Sequence, residues 1–162
     1  MTSEHTSPTD DVDLDVLGDT ITFFVRVLDI ALSRDIDERL KGLEVGKGKG
    51  KVTSLLFIDR HPGIRPSKLA ERAMKDRAHI ARIIENFIEH DLVTRRVTES
   101  DSRAAELCVT PKGAAMAEQV RRIIREQETE FFAELVSPEE HDQAVRILKG
   151  MYLRLLARGG LK

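Results

Sequence analysis

The most constraining feature of the sequence is a pair of short helical patterns between residues 61 and 90, separated by a tight break. Pro66 suits the first turn of a helix, where its missing N–H is not needed, and that helix is predicted to end near Ala73. Asp76 is a typical N-cap for a second helix over about 77–90. The apolar spacing of this second helix turns one side inward (Ile80, Ile83, Ile84, Phe87, Ile88) and the other outward (Arg77, Ala78, His79, Ala81, Arg82, Glu85). Together the two patterns predict a helix-turn-helix.

A β-hairpin pattern follows the two helices. Residues 93–98 and 107–110 alternate in character, and the charged sequence Glu99-Ser100-Asp101-Ser102-Arg103 lies between them. We therefore expect a two-stranded wing with a charged tip. A helix-turn-helix followed by a wing is an arrangement that places one helix in the major groove of DNA and a cationic loop near the backbone or minor groove.

Longer helical patterns flank this unit. Apolar residues from Leu14 to Ala31 recur in steps of three and four, which predicts a helix reaching about Leu40 that packs along another helix. The run GKGKGK over residues 46–51 predicts a mobile cationic loop, and a short helix over about 52–60 follows it. Thr110-Pro111 begins a long helix whose apolar positions extend to Leu135. Ser137-Pro138-Glu139-Glu140 begins the last helix, with a second apolar stripe (Val145, Leu148, Tyr152, Leu155).

The charge and composition of the chain limit its class. The 162 residues carry a formal net charge of −2, but acids crowd the first turns while arginine and lysine concentrate in the middle segment. Binding to a polyanion depends on the local potential, so the net charge does not exclude it. A single cysteine excludes an internal disulfide framework. There is no apolar run of about 20 residues and no secretory signal, so we expect a cytoplasmic protein with no membrane partner.

The residue types in the central segment indicate which side chains would contact double-stranded DNA. Arginine on an outward helix face suits guanine edges, and small alanines let a helix approach the bases. Hydroxyl and ammonium groups at the start of the preceding helix suit phosphate, and an arginine in the wing suits the minor groove. Asp101 is expected to orient the wing arginines. The predicted DNA-binding residues are Ser67, Lys68, Arg77, Ala78, His79, Arg82, Arg96, Ser102 and Arg103. For each of these residues, the alternative interpretation is an exposed side chain that contacts only solvent.

At this point the sequence resembles the MarR family of winged helix-turn-helix regulators. The resemblance is carried by PSKLAERAMKDRAHIARIIENFIEHDLVTRR, by Asp101-Ser102-Arg103 and by LCVTPKG. It implies a homodimer in which the first helix and the last two interlock with those of a second subunit. It also implies a transcriptional repressor that binds a pseudo-palindromic operator and is relieved by a small-molecule effector. The sequence departs from the family's usual pattern at Asp91, where glycine is common, and at GKGKGK, which replaces a mostly apolar helix start.

The predicted fold class is mainly α, a winged helix-turn-helix with long N- and C-terminal dimerisation helices and a two-stranded wing. The predicted organisation is a disordered tail (1–11), an N-terminal dimerisation helix (12–45), a DNA-binding domain (52–110) and C-terminal dimerisation helices (111–160). The residues that would bind an effector cannot be distinguished from core residues by sequence.

Two other functions remain open at this stage. A winged helix can also dock a protein partner, which the salt dependence of DNA binding would distinguish. The same scaffold can serve as a metal or redox sensor. However, the histidines are scattered and Cys108 lies in a strand pattern, where a small half-buried side chain is usual. No Ser-His-Asp order, phosphate cradle or carboxylate pair suggests an enzyme, and no cofactor or metal site is predicted.

Overall fold

The computed structural model of the chain describes residues 12–46, 48, 50–98 and 101–159, except for the side chains of residues 97, 98 and 101–104. The predicted disordered tail (1–11) therefore lies outside the described residues. The chain divides into two compact units after Asp35. In the described parts a short 3₁₀ helix (Asp15–Asp19) precedes α1 (Ile21–Arg39). The remaining elements are α2 (Lys51–Arg60), α3 (Pro66–Arg72), α4 (Arg77–Glu89), β1 (Val93–Thr98), β2 (Asp101–Val109), α5 (Pro111–Ala133) and α6 (Pro138–Ala157).

The predicted fold class is confirmed, because α3 and α4 form a helix pair followed directly by a two-stranded antiparallel sheet. The two strands pair in register from Val93 opposite Val109 to Val97 opposite Ala105, with an irregularity before Thr98 pairs with Asp101. The domain boundaries given above stay predictions. None of the described helices combines the length and apolarity needed to cross a membrane.

Local signals explain where most helices begin. The side chain of Thr110 accepts a hydrogen bond from the Gly113 N–H at 2.9 Å, and Pro111 occupies the first turn of α5. Ser137 and Glu140 form a capping box at the start of α6, with each side chain accepting a hydrogen bond from the other's backbone N–H. These groups satisfy N–H donors that have no partner within the helix. The predicted starts of α5 and α6 are confirmed.

One hydrophobic core joins the helix pair, the wing and the first part of α5. The inward face of α4 contributes the largest share, because its residues recur at helical spacing. The fully buried residues of this core include Leu55, Ile58, Leu69, Ile80, Ile84, Phe87, Leu92, Leu107 and Val120. The core therefore fixes α4 by its apolar side and leaves its opposite side free to face outward.

The structure corrects four details of the sequence prediction. Ile88 was expected to point inward but is 40% exposed, because four other residues already fill the buried stripe of α4. Leu135 lies beyond the end of α5 and is 58% exposed. The second strand begins at Asp101 and not at Leu107, so the charged stretch 101–103 extends the hairpin and is not wholly loop. Finally, regular α-helix begins at Ile21, after a 3₁₀ segment, and not at Leu14.

Gly113, in the first turn of α5, has the least room for a side chain among the described glycines. A Cβ atom built there would overlap the carbonyl oxygen of Leu92 and lie 2.8 Å from its carbon. We expect Gly113→Ala to lower the free energy of unfolding by at least about 2 kcal/mol, because backbone atoms must shift to admit the methyl group. Urea unfolding measures this loss. Gly150→Ala is the matched control in α6, since a Cβ there has no neighbour within 4 Å and alanine favours a helix by up to about 1 kcal/mol. Equal stability of the two variants would contradict the close contact between Gly113 and the backbone of Leu92.

Candidate nucleic-acid interface

The start of α4 is fixed by a side-chain cap. Asp76 accepts a hydrogen bond from the His79 backbone N–H at 2.7 Å, as its sequence position predicted. This bond favours the charged form of the carboxylate and holds the pKa of Asp76 below its ordinary value. A negative cap also complements the positive end of the helix dipole. The first turn of α4 therefore has a defined orientation relative to the turn before it.

The turn between α3 and α4 is closed by the backbone. The Lys75 N–H donates to the Ala70 carbonyl at 3.0 Å, and Met74 adopts the left-handed conformation with φ of 53°. Because methionine is not favoured there, the contacts of the surrounding chain must hold the turn in place. A backbone hydrogen bond thus closes the turn of the helix pair, which presents the outer side of α4.

That outer side carries the residues that the sequence predicted for it. Arg77, Ala78, Ala81 and Arg82 are all exposed, and they lie on adjacent turns at spacings that share one face of the helix. Among the described residues, neither arginine has an ion-pair partner. The two alanines have short side chains and lie between the two arginines. The helix surface is therefore free of bulky groups at its centre and positively charged at its edges.

His79 differs from these neighbours because it is only half-exposed. A Cβ atom built on Gly50, at the start of α2, would lie 3.4 Å from the His79 Nε2 atom. The imidazole therefore packs beside the backbone of α2, and only part of its ring faces outward. Its assignment to DNA contact stays a prediction.

The two residues predicted at the start of α3 are exposed as well. The Lys68 ammonium donates to both carboxylate oxygens of Glu71, at 2.8 and 2.9 Å, and this pairing lowers the pKa of Glu71. Ser67 lies beside it on the surface. A surface pair of this kind contributes little to stability, so the ammonium can exchange its carboxylate for another anion at small cost.

The wing contributes one described side chain to this set. Arg96 is exposed on β1, opposite Glu106 of β2. The backbones of Asp101, Ser102 and Arg103 belong to β2, but their side chains lie outside the described residues, so their predicted roles stay untested. The structure thus brings Ser67, Lys68, Arg77, Ala78 and Arg82 together on the helix pair.

The structure also adds residues that sequence reasoning did not select. Lys75 is exposed in the turn before α4, and its Cε atom lies 3.6 Å from the position of a Cβ built on Gly50. No local pattern links residues 50 and 75, because their proximity arises from the packing of α2 against the helix pair. The sequence offered one signal for Lys75, because a basic residue directly before the N-cap of a predicted recognition helix is well placed to contact DNA.

The other candidate chemistries find little support in the described part of the chain. Cys108 is half-buried in β2 with a free thiol, as its strand position predicted. No group of three or more histidine, cysteine or carboxylate side chains is placed to hold a metal ion within the described ranges.

The fold and the outward arginine face together define a winged helix-turn-helix protein. Residues 51–105 match the family model described as MarR family. The HTH-type transcriptional repressor YetL of Bacillus subtilis (strain 168) is 26% identical over 140 residues, which are 84% of this chain and 82% of that protein. Within residues 51–105 the sequence is therefore similar to the MarR family, and a relative that matches over most of the chain is named as a transcriptional repressor.

Solved structures share this fold. The transcriptional repressor CouR, bound to a 23-mer DNA duplex, superposes with a TM-score of 0.78 at 17% identity, covering 87% of this chain and 98% of that one. The S. aureus MepR–DNA complex gives a TM-score of 0.72 at 20% identity, with 84% and 98% covered. At these identities the likeness establishes the architecture alone.

Proposed function

We propose that the protein is a homodimeric repressor that binds a pseudo-palindromic DNA operator and releases it when a small molecule binds. The observation that carries this proposal is the exposed face of α4, where Arg77 and Arg82 flank two alanines on a capped helix. An α-helix fits the major groove, and arginine donates two hydrogen bonds to a guanine edge. The transcriptional repressor CouR and the protein MepR share this fold and were both solved with DNA, which supports the same use here.

The residues around α4 supply the expected second class of contact. Ser67 and Lys68 are exposed at the start of α3, and Arg96 is exposed on the wing. Such groups bind phosphate oxygens and fix the register of a protein on the duplex, while contacts to base edges determine sequence preference. Arg77, His79 and Arg82 are assigned to the bases, Ser102 and Arg103 to the wing contacts, and Asp101 to orienting them.

Arg82→Ala should weaken binding to the preferred duplex by about tenfold to a hundredfold, equivalent to ~1–3 kcal/mol, and should also relax the preference at one base position. The duplex is first selected by the wild-type protein from a random 30-bp pool, and affinities are then measured by fluorescence anisotropy. Arg125→Ala removes an equally exposed arginine from α5 and serves as the control. Failure of the wild type to select any sequence would count against an operator-binding function.

The proposal of a homodimer rests on apolar surface that the single chain leaves uncovered. No residue of α6 is buried, although this 20-residue helix carries several large apolar side chains. The most exposed of them are Ile147 at 56%, Leu148 at 53% and Leu153 at 52%. Apolar side chains on α1 are exposed in the same way, and this helix too contains no buried residue. An amphipathic helix is stabilised mainly by packing, so these faces need a partner, and a second copy of the chain supplies one.

We expect the wild-type protein to sediment at about twice its chain mass of 18.3 kDa. Leu148→Lys places a charge within the uncovered face and should shift the protein toward monomer, because burying an unpaired ammonium is costly. As the dimer dissociates, the affinity of the protein for a two-site operator should also fall. Thr53→Lys adds the same charge at an exposed position of α2, outside the proposed dimer helices, and should leave the mass unchanged. A wild-type protein that sediments as a monomer at all concentrations would contradict the proposal.

A cavity beside α3 supports the proposal of small-molecule control. It has a volume of about 640 Å³ and is lined by Phe57, His61, Ile64, Lys68, Arg72 and Tyr152, among others. This size falls in the usual range for ligand sites. The Tyr152 hydroxyl of α6 donates to the Arg72 carbonyl at the end of α3, at 3.0 Å. A ligand here would contact both the proposed dimer helix and the helix pair.

A compound found by thermal-shift screening should raise the melting temperature and lower the affinity for the selected duplex. By linkage, the factor by which the compound weakens DNA binding must equal the factor by which DNA weakens binding of the compound. Both factors are measurable by titration. Compounds that bind the cavity tightly and leave DNA affinity unchanged would show that the cavity does not control DNA binding. Tyr152→Phe should reduce the coupling factor, because it removes the hydroxyl that joins α6 to α3.

A further inference from the structure

Helices α5 and α6 are joined by a tight corner, residues 134–137. The N–H groups of Leu135 and Val136 both donate to the Phe132 carbonyl, at 3.0 and 3.1 Å. The conformation of this corner determines the direction in which α6 leaves α5. No residue of α6 is buried within the single chain, so the contacts of individual side chains help to fix that direction.

His141 lies in the first turn of α6 and contacts the last turns of α5. Its Nε2 atom lies 2.7 Å from the Oε1 atom of Glu128 on α5, and its Nδ1 atom lies 3.7 Å from a carboxylate oxygen of Asp142. The imidazole also packs edge-on against the Phe132 ring, with the two ring centroids 5.3 Å apart. Its side chain is thus enclosed by two carboxylates and an aromatic ring and is only 25% exposed.

These surroundings act on the charge of His141 in opposite directions. The hydrogen bond to Glu128 favours the charged imidazole most strongly, and the negative charges of Glu128 and Asp142 add to it. Partial burial and the positive end of the helix dipole oppose the charge. The carboxylates prevail, and they raise the pKa of His141 above its ordinary value. Glu140 is engaged separately, since its carboxylate accepts the Ser137 N–H at 2.8 Å.

His141 also lies on the side of α6 that continues into its uncovered apolar face. Val145 and Leu148 follow it at successive steps of four and three residues, which place side chains on one side of a helix. These two side chains are 46% and 53% exposed. A contact that holds His141 against α5 therefore also fixes the direction in which this apolar face points.

We propose that His141 and Glu128 form a pH-sensitive clasp between α5 and α6, and that protonation of His141 strengthens the homodimer. This inference rests on the proposed function, because it takes α6 as a helix of the dimer interface. When His141 is protonated, an ion pair joins the two helices across the corner. When His141 is neutral, the contact keeps at most a hydrogen bond, because the ring then carries no charge. The apolar face of α6 is then held less firmly in the orientation that a second subunit must match.

The direction of the pH dependence follows from the raised pKa of His141. A group whose pKa is raised in the folded state stabilises that state fully below its unfolded pKa, and the contribution is lost as the pH rises through the folded value. The clasp therefore contributes most below the ordinary histidine pKa of about 6.5. It weakens as the pH rises through the raised pKa, so the dimer should be tighter in mildly acidic solution.

The test measures the dimer dissociation constant by sedimentation at about pH 6 and about pH 8.5, on either side of the ordinary histidine pKa. For the wild type we expect the constant to rise by about threefold to tenfold over this range, because each subunit loses one partly exposed ion pair. His141→Gln and Glu128→Gln each remove the ion pair and keep a side chain that can form a hydrogen bond. Each should abolish most of the rise, and the double variant should behave like either single one.

The control is His90→Gln, which removes an exposed histidine at the end of α4 and should keep the wild-type rise. An equal rise in the wild type and in His141→Gln overturns the clasp and leaves the proposed dimer intact. Loss of the rise in the control also overturns it, since histidine titration elsewhere would then explain the effect. A wild type that is monomeric at both pH values overturns both proposals.

A titration of the His141 ring protons by NMR tests the pairing within one subunit. We expect the pKa of His141 to fall in Glu128→Gln, because the amide no longer supplies a negative charge. A pKa that is the same in this variant and in the wild type would overturn the clasp, whatever the state of assembly. Circular dichroism at both pH values confirms that each variant is folded.

Discussion

The structure depends on a compact cluster of hydrogen bonds where α4, the wing and α5 meet. Thr110 donates its hydroxyl to the Asp91 carbonyl at 2.6 Å and accepts the Gly113 N–H, while its own N–H donates to the Leu92 carbonyl at 3.0 Å. Leu92 in turn donates to the Phe87 carbonyl near the end of α4 at 2.8 Å. The end of the proposed recognition helix, both ends of the hairpin and the first turn of the long helix are thus bonded within a few residues.

This cluster of hydrogen bonds connects α5 to α4, so that a movement of α5 would be transmitted to α4. The Lys112 ammonium, on the first turn of α5, donates to the His90 carbonyl at 2.8 Å and to Glu44. Further along, the Arg121 guanidinium pairs with Asp59 of α2, which raises the pKa of Arg121 because the carboxylate stabilises its charged form. Helix α5 is therefore attached both to the end of α4 and to α2. A tilt of α5 would act on the end of α4 through the bond between Lys112 and the His90 carbonyl, and the spacing of two such helices is what a two-site operator would sense.

The sequence predicted those features whose cause is local. Asp76, Thr110 and Ser137 cap helices through their own side chains, so the residue type and its position were sufficient to place the starts of α4, α5 and α6. The left-handed conformation of Asp91, with φ of 55°, also matches its place directly after a helix. Features that depend on packing between distant segments could not be predicted from the sequence. The exposure of Ile88 and the contact of Gly50 with His79 each follow from how helices meet in space, and periodicity within one helix does not specify that.

The same distinction explains why net charge misleads for this protein. A formal charge of −2 suggests indifference to a polyanion, yet three acids of the central segment have structural partners. Asp76 caps α4, Glu71 holds Lys68, and Asp59 is paired with Arg121. Arg77, Arg82 and Lys75 have no such partner among the described residues. The local potential depends on where the charges lie, and these three exposed cations lie on or directly before α4. Folding thus places exposed arginines on the outer side of α4 in a chain whose net charge is slightly negative.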